Sequence, residues 1–294
     1  MEDLQQDVAS MIGKTSLSDG VDRRDFIKAA IGTGFAAAVL PISAQTLVKT
    51  TAAGLTVGEV TIVVNGQNVP VYRAQPEGKT NLPVVLVISE IFGVHEHIAD
   101  VTRRFAKLGY LALAPELFVR QGDPISYGTM VELMKEVIAK TPDDQILTDL
   151  DACVAWAAKN GGNVEKLGIT GFCWGGRITW LYAAHNAKVK ASVAWYGRLV
   201  GDKSAMNPRH PVDVAANIKG AVLGLYGGKD ASIPLESVEQ MKAALAKGAS
   251  PSRFVVYPES GHAFHADYRP SYVAADAKDG WKRCVEWFKS HGVA

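Results

Sequence analysis

Cys173 sits in the middle of "KLGITGFCWGGRITW", residues 166–180. The run 167–170 is apolar and β-branched, and 177–184 has helical character, so 171–176 reads as a tight strand-to-helix turn with Cys173 at its apex. A thiolate is the nucleophilic form of cysteine, and a free thiol, with a pKa near ~8.5, is mostly protonated at neutral pH. Activation therefore calls for a helix N-terminus, which Trp174 would begin, and for a basic neighbour. His262, after the candidate strand "FVVYPESG", is that neighbour, and Asp230, after "AVLGLYGGK", would fix its tautomer and offset the charge it gains. Gly171, Gly175 and Gly176 leave room for the sharp turn.

The chain order Cys173, Asp230, His262 is that of the α/β-hydrolase triad, and "GFCWG" is the G-x-S-x-G nucleophile elbow with cysteine for serine. Taken singly, Cys173 would be read as an inert buried thiol and His262 as a hydrogen-bonded loop histidine. All three residues fall at strand ends, where such sheets gather reactive groups, and that common placement favours chemistry. Cys153 and Cys284 lie on apolar helical positions and read as buried structural thiols. An odd total of three cysteines without a CxxC pair points away from a disulfide framework or a zinc knuckle. His95 and His97 form an H-x-H pair without a third ligand pattern, so no metal is expected. Trp174, Trp195 and Tyr196 read equally well as pocket lining or as core.

These residues need a scaffold. From residue 57 on, short apolar runs alternate with helical ones. "EVTIVV" and "VPVYRA" flank Asn65-Gly66, a hairpin signal. "PVVLVIS", "GYLALAP", "KLGITG", "VKASVAWYG", "AVLGLYGG" and "RFVVYPES" follow as candidate buried strands. Helices are expected near 96–108, 128–139, 144–159, 175–186, 235–247 and 271–289. This pattern predicts one domain over 51–294: an α/β-hydrolase fold with a mostly parallel sheet of about eight strands, helices on both faces and an antiparallel hairpin at one edge.

The first 50 residues differ. "DRRDFIKAAIGTGFAAAVLPISA" joins Arg23 and Arg24 to a short Gly/Ala-rich apolar run, which resembles a twin-arginine export signal and is too short for a stable membrane anchor. The expectation is export to the periplasm by the twin-arginine machinery, with cleavage after Ala44 or after Ala53; a helix of the mature fold is the alternative. A net charge of +1, with 48% hydrophobic residues, gives no reason to expect nucleic acid and favours a small-molecule substrate.

From about residue 58 onward the sequence resembles the dienelactone hydrolase (carboxymethylenebutenolidase) family, through "SEIFGVHEHIADVTRRFAKLGYLALAPELF", "GITGFCWGGR", "YGGKDASIP" and "GHAFHAD". The resemblance implies that Glu90 lies beside the thiol and restrains it in the resting enzyme. It also implies an oxyanion hole from the backbone N–H groups of Ile91 and Trp174, and a substrate carboxylate bound by Arg120. The resemblance places the family's second carboxylate-binding arginine at Ala266, with His265 and Arg269 as candidates to compensate. The leading expectation is a cofactor-free, cysteine-dependent hydrolase of lactones or esters that works through an acyl-enzyme thioester. A general carboxylesterase and a non-catalytic small-molecule binding protein are the alternatives.

Overall fold

Runs that are apolar at every position can fold as strands only if both faces of their sheet are covered, and that is how they fold here. The structure, a computed structural model, describes residues 47–294. Its strands are β1 (Leu55–Val64), β2 (Gln67–Pro76), β3 (Leu82–Ile88), β4 (Leu111–Pro115), β5 (Gly162–Phe172), β6 (Val189–Trp195), β7 (Ala221–Gly227) and β8 (Arg253–Tyr257). They form one sheet in the order β1-β2-β4-β3-β5-β6-β7-β8. The β1–β2 and β2–β4 pairs are antiparallel, and every other pair is parallel. Asn65 (φ 50°) and Gly66 (φ 77°) close the β1–β2 hairpin, as their types predict.

The longer helices are α1 (Glu96–Lys107), α2 (Met130–Glu136), α3 (Asp143–Lys159), α4 (Trp174–His185), α5 (Leu235–Leu245) and α6 (Ala274–Ser290). Strand side chains alternate between two cores. In β3, Val85 and Val87 join Phe105 of α1 and Phe288 of α6, while Val84, Leu86 and Ile88 join Ile146 and Leu150 of α3. A smaller apolar cluster of Phe118, Leu133, Val137 and Ile138 packs on Ile91, Phe92 and Trp174, so the segment around α2 covers one side of the strand ends. Among the described residues no helix is long and apolar enough to cross a membrane. The expected export signal lies outside the described residues.

The carboxyl ends of β3, β5, β7 and β8 lead into Glu90, Cys173, Asp230 and His262 respectively. The chain leaves β3 for β4 on one side and meets β5 on the other, so the sheet's order reverses at β3. A crevice opens at such a reversal, which is why the site forms there.

Candidate active site

Cys173 is held at φ 55° and ψ −116°, a conformation that L-residues rarely adopt, directly before the first residue of α4. Strain of this kind costs about 1–3 kcal/mol and persists only where the surroundings enforce it. Two glycines supply the enforcement. A Cβ on Gly171 would lie 2.2 Å from the Gly175 carbonyl oxygen, and one on Gly175 would lie 2.5 Å from the carbonyl oxygens of Ile88 and Ser89. The elbow therefore packs directly against the end of β3, next to Glu90. Arg177, one turn into α4, forms a buried bidentate ion pair with Asp143 at 2.7 and 2.8 Å, which ties the elbow helix to α3. The motif around Cys173 contains Arg177, but nothing in the sequence marks Asp143 as its partner.

His262 brings its Nδ1 to 2.7 Å from Asp230 Oδ2. The other Asp230 oxygen accepts from Ser232 Oγ at 2.6 Å, Ser232 N at 2.9 Å and Ile233 N at 3.2 Å. Burial opposes the charge on Asp230, but these donors and His262 outweigh it and hold the carboxyl below its usual range. Burial likewise opposes a charged His262; the neighbouring Cys173 and Asp230 prevail and raise it to about 10. Beneath the ring, Tyr196 (φ 37°) packs edge-on at 5.2 Å. Cys153 and Cys284 are fully buried, and burial pushes both thiols up and out of the reactive range.

Glu90 is 1% exposed. Its Oε2 lies 3.2 Å from His95 Nε2, and its Oε1 accepts from Tyr268 Oη at 3.4 Å. Burial raises its pKa, but His95, with help from His97 and Arg269, holds it down at about 2. The expected restraint of the thiol by Glu90 thus has a competitor, since both carboxylate oxygens already have other donors. His95 and His97 stack at 6.1 Å and turn to different carboxylates, with His97 Nδ1 2.9 Å from Asp267 Oδ1. Ile91, with its neighbour Phe92, enters a turn fixed by Gly93 (φ 73°) and by the Val94 N–H, which donates to both Glu116 oxygens at 3.2 Å. The Trp174 N–H is the first of α4 and so has no intrahelical acceptor.

Arg120 is not held out toward the elbow. Its fork grips Asp149 of α3 at 2.6 and 2.8 Å, and its Nε donates to Gln67. Asp149 has no exposed side-chain surface, and a buried carboxylate captures the nearest guanidinium. Arg269 lies closer to Glu90: its guanidinium stands 5.2 Å over the Phe92 ring and 5.5 Å over that of Tyr268. His265 is buried between Phe172 and Trp195, and burial drives its pKa well down, so it carries no charge for an anion. Trp195 and Tyr196 are core, while Trp174 packs half-buried on Phe118 at 4.7 Å.

A parallel sheet with a strained elbow at one strand end, and an acid and a histidine at two others, defines an α/β-hydrolase. The chain belongs to the dienelactone hydrolase family, whose model matches residues 69–292. It is 56% identical over 289 residues to a Methylorubrum extorquens protein named "Putative carboxymethylenebutenolidase", with 98% of each chain covered. An Escherichia coli K12 protein of the same name is 54% identical over 261 residues, which is 88% of this chain and 96% of that one. A crystal structure described as a "Putative Dienelactone Hydrolase" from Klebsiella pneumoniae superposes with a TM-score of 0.79 at 56% identity, covering 80% of this chain and 98% of that one. These similarities identify the protein as a hydrolase acting on carboxylic ester bonds.

Proposed function

We propose that the protein opens small lactones or esters through a thioester on Cys173. The observation that carries this reading is the strained Cys173 neighbouring His262, whose ring is hydrogen-bonded to Asp230. The Cys173 thiolate attacks the ester carbonyl carbon, and the carbonyl π electrons move onto oxygen. That oxyanion is met by the N–H groups of Ile91 and Trp174. Collapse breaks the C–O bond, and the imidazolium of His262 gives its proton to the departing alkoxide. In a lactone the freed hydroxyl remains on the acyl chain. Water then attacks the thioester carbonyl while His262 takes its proton, and the second collapse returns the thiolate and releases the acid. Intact-protein mass spectrometry under turnover tests this. The adduct should match the acyl group minus its leaving alcohol and disappear in Cys173→Ala; an adduct that persists there refutes the assignment.

A second reading, a general carboxylesterase acting on neutral esters, is favoured by two observations. Arg120 is committed to Asp149, and the family's second anchor position is Ala266, which is fully buried. Comparing kcat/KM for carboxylate-bearing lactones and neutral p-nitrophenyl esters separates the two readings.

We further propose that Arg23 and Arg24 direct export of the chain to the periplasm by the twin-arginine machinery. Replacing both with lysine should abolish the periplasmic pool; an unchanged pool refutes the route.

A further inference from the structure

We propose that Arg177 is a positioning residue for the elbow: gripped by Asp143, it fixes the first turn of α4, so that the Cys173 thiol and the Trp174 N–H keep their alignment during reaction. This rests on the cysteine reading above.

Arg177 touches the nucleophile's own backbone. Its N–H donates to the Cys173 carbonyl at 3.2 Å, beside that of Gly176 at 2.9 Å, so the two residues are locked within a single turn. Two further contacts of that turn are walls. A Cβ on Gly175 would lie 2.5 Å from the Ile88 and Ser89 carbonyl oxygens, and one on Gly176 would lie 2.6 Å from the Trp195 carbonyl oxygen. Backbone contacts this close stop α4 from moving toward β3 or β6, but they do not stop it from moving away. Retreat is opposed by attraction, through the Cys173 N–H, which donates to the Trp195 carbonyl at 3.0 Å, and through the Arg177 side chain.

That side chain is buried, at 5% exposure against 7% for Asp143. Nη1 and Nη2 meet the two Asp143 oxygens at 2.7 and 2.8 Å, Nη2 also donates to the Arg209 carbonyl at 2.8 Å, and Nε donates to His210 Nδ1 at 3.4 Å. Asp143 is fixed in turn: its Oδ1 accepts from Asn207 Nδ2 at 3.0 Å, and its N–H donates to the Met206 carbonyl at 2.9 Å. The chain runs from Trp195 to Pro211 without a helix or strand. One guanidinium therefore ties together α4, the start of α3 and a loop that has no ladder of its own. An ion pair taken out of water gains little net stability over apolar side chains of the same shape. What it gains is a fixed geometry, since the fork meets the carboxylate at two points.

The reaction makes use of that geometry. The attacked carbonyl must meet the thiolate and the Trp174 N–H at once, and these groups belong to consecutive residues of the elbow. A turn free to tilt would keep both groups and lose their alignment, and a misplacement of about 1 Å can cost about a hundredfold in rate. Water attacking the thioester builds its oxyanion at the same N–H, so kcat senses the turn whichever step limits it.

The test uses the full chain with p-nitrophenyl acetate as substrate, well below each variant's melting midpoint. Arg177→Lys keeps the charge and Asp143→Asn keeps the shape, and each breaks the two-point grip without stranding a bare buried charge. In each, kcat should fall roughly ten- to a hundredfold while KM stays within about twofold. The double variant should fall no more than about twofold below the poorer single one, because the grip is broken only once. Alkylation of Cys173 by iodoacetamide forms an S–C bond and expels iodide without an oxyanion, so its rate should stay within about threefold of wild type. Unchanged kcat, a change in KM alone, losses that multiply in the double variant, or alkylation that falls with kcat overturns the proposal. Failure of both single variants to fold overturns it too, since the pair would then be scaffold. Hydrolysis that survives in Cys173→Ala would instead refute the cysteine reading, a result separate from the Arg177 and Asp143 variants, which all keep the thiol.

Discussion

His262 and Asp230 sit 2.7 Å apart, and the Asp230 oxygen that does not touch His262 is filled by three donors from Ser232 and Ile233. The carboxylate is thereby fixed from behind, so the histidine has one orientation available to it. On the proposed mechanism, that geometry would aim the imidazole as a base.

The pair should leave a mark on pH dependence. His262 titrates at about 10 in the fold against an ordinary value of 6.5. Its charge therefore contributes stability that is fully present below about pH 6.5 and is lost as pH rises through about 10. Thermal melts should show Tm falling over that alkaline window, and the fall should be smaller and begin at lower pH in Asp230→Asn. kcat should drop in that variant by roughly 10³–10⁴, as when a triad acid is neutralised. A Tm profile unchanged in Asp230→Asn would count against the ion pair.

The elbow strain gives a comparison that needs no substrate. Both Cys173→Ala and Cys173→Gly remove the thiol, but only glycine tolerates φ 55° with ψ −116°. Glycine should therefore be more stable than alanine by about 1 kcal/mol, against the usual order. Urea midpoints decide it, and alanine equal to or above glycine would mean the elbow is unstrained.

Arg120 should behave as part of the scaffold. Removing it leaves Asp149 buried without its guanidinium, and breaking such a pair costs about 3–5 kcal/mol. Arg120→Ala should lose stability on that scale and lose activity equally on anionic and neutral substrates. A selective loss on carboxylate-bearing lactones would instead restore Arg120 as an anchor.

Much of this was legible because it is local. Each strand carries its own apolar run, Asn65-Gly66 carries its turn, and Cys173, Asp230 and His262 each follow a strand, so their meeting follows from the sheet's polarity. The ion pair of Arg120 is illegible for the opposite reason: its partner Asp149 is 29 residues away, on a helix face that the sequence pattern does not pair with any loop. The sequence shows His95 only as half of an H-x-H pair, since nothing near it announces Tyr268, 173 positions on, whose ring stands edge-on to it. Tertiary pairing of buried charges is set by where the backbone brings them, and spacing does not encode it.

The last prediction concerns residues 48–53, which cross α1 as a strap. The Val48 N–H donates to Asp267 and the Thr50 N–H to Asp100, Arg103 Nε donates to the Thr50 carbonyl at 2.9 Å, and Lys107 donates to the Ala53 carbonyl. Hydrogen bonds to charged groups contribute about 1.5–3 kcal/mol each, offset by the entropy of ordering roughly six residues at about 1 kcal/mol or more apiece. A net of about 2 kcal/mol would lower Tm by roughly 4–8 °C. A chain beginning at Gly54 should therefore melt below one beginning at Leu47 by that amount. Asp267 would also lose one of the donors that fix it against His97. The comparison bears on processing. On the proposed export route, cleavage after Ala44 would preserve the strap and cleavage after Ala53 would remove it, so the exported protein should begin upstream of Leu47. N-terminal sequencing of periplasmic protein reads this directly, and a mature chain beginning at Gly54 with undiminished stability would show that the strap is dispensable.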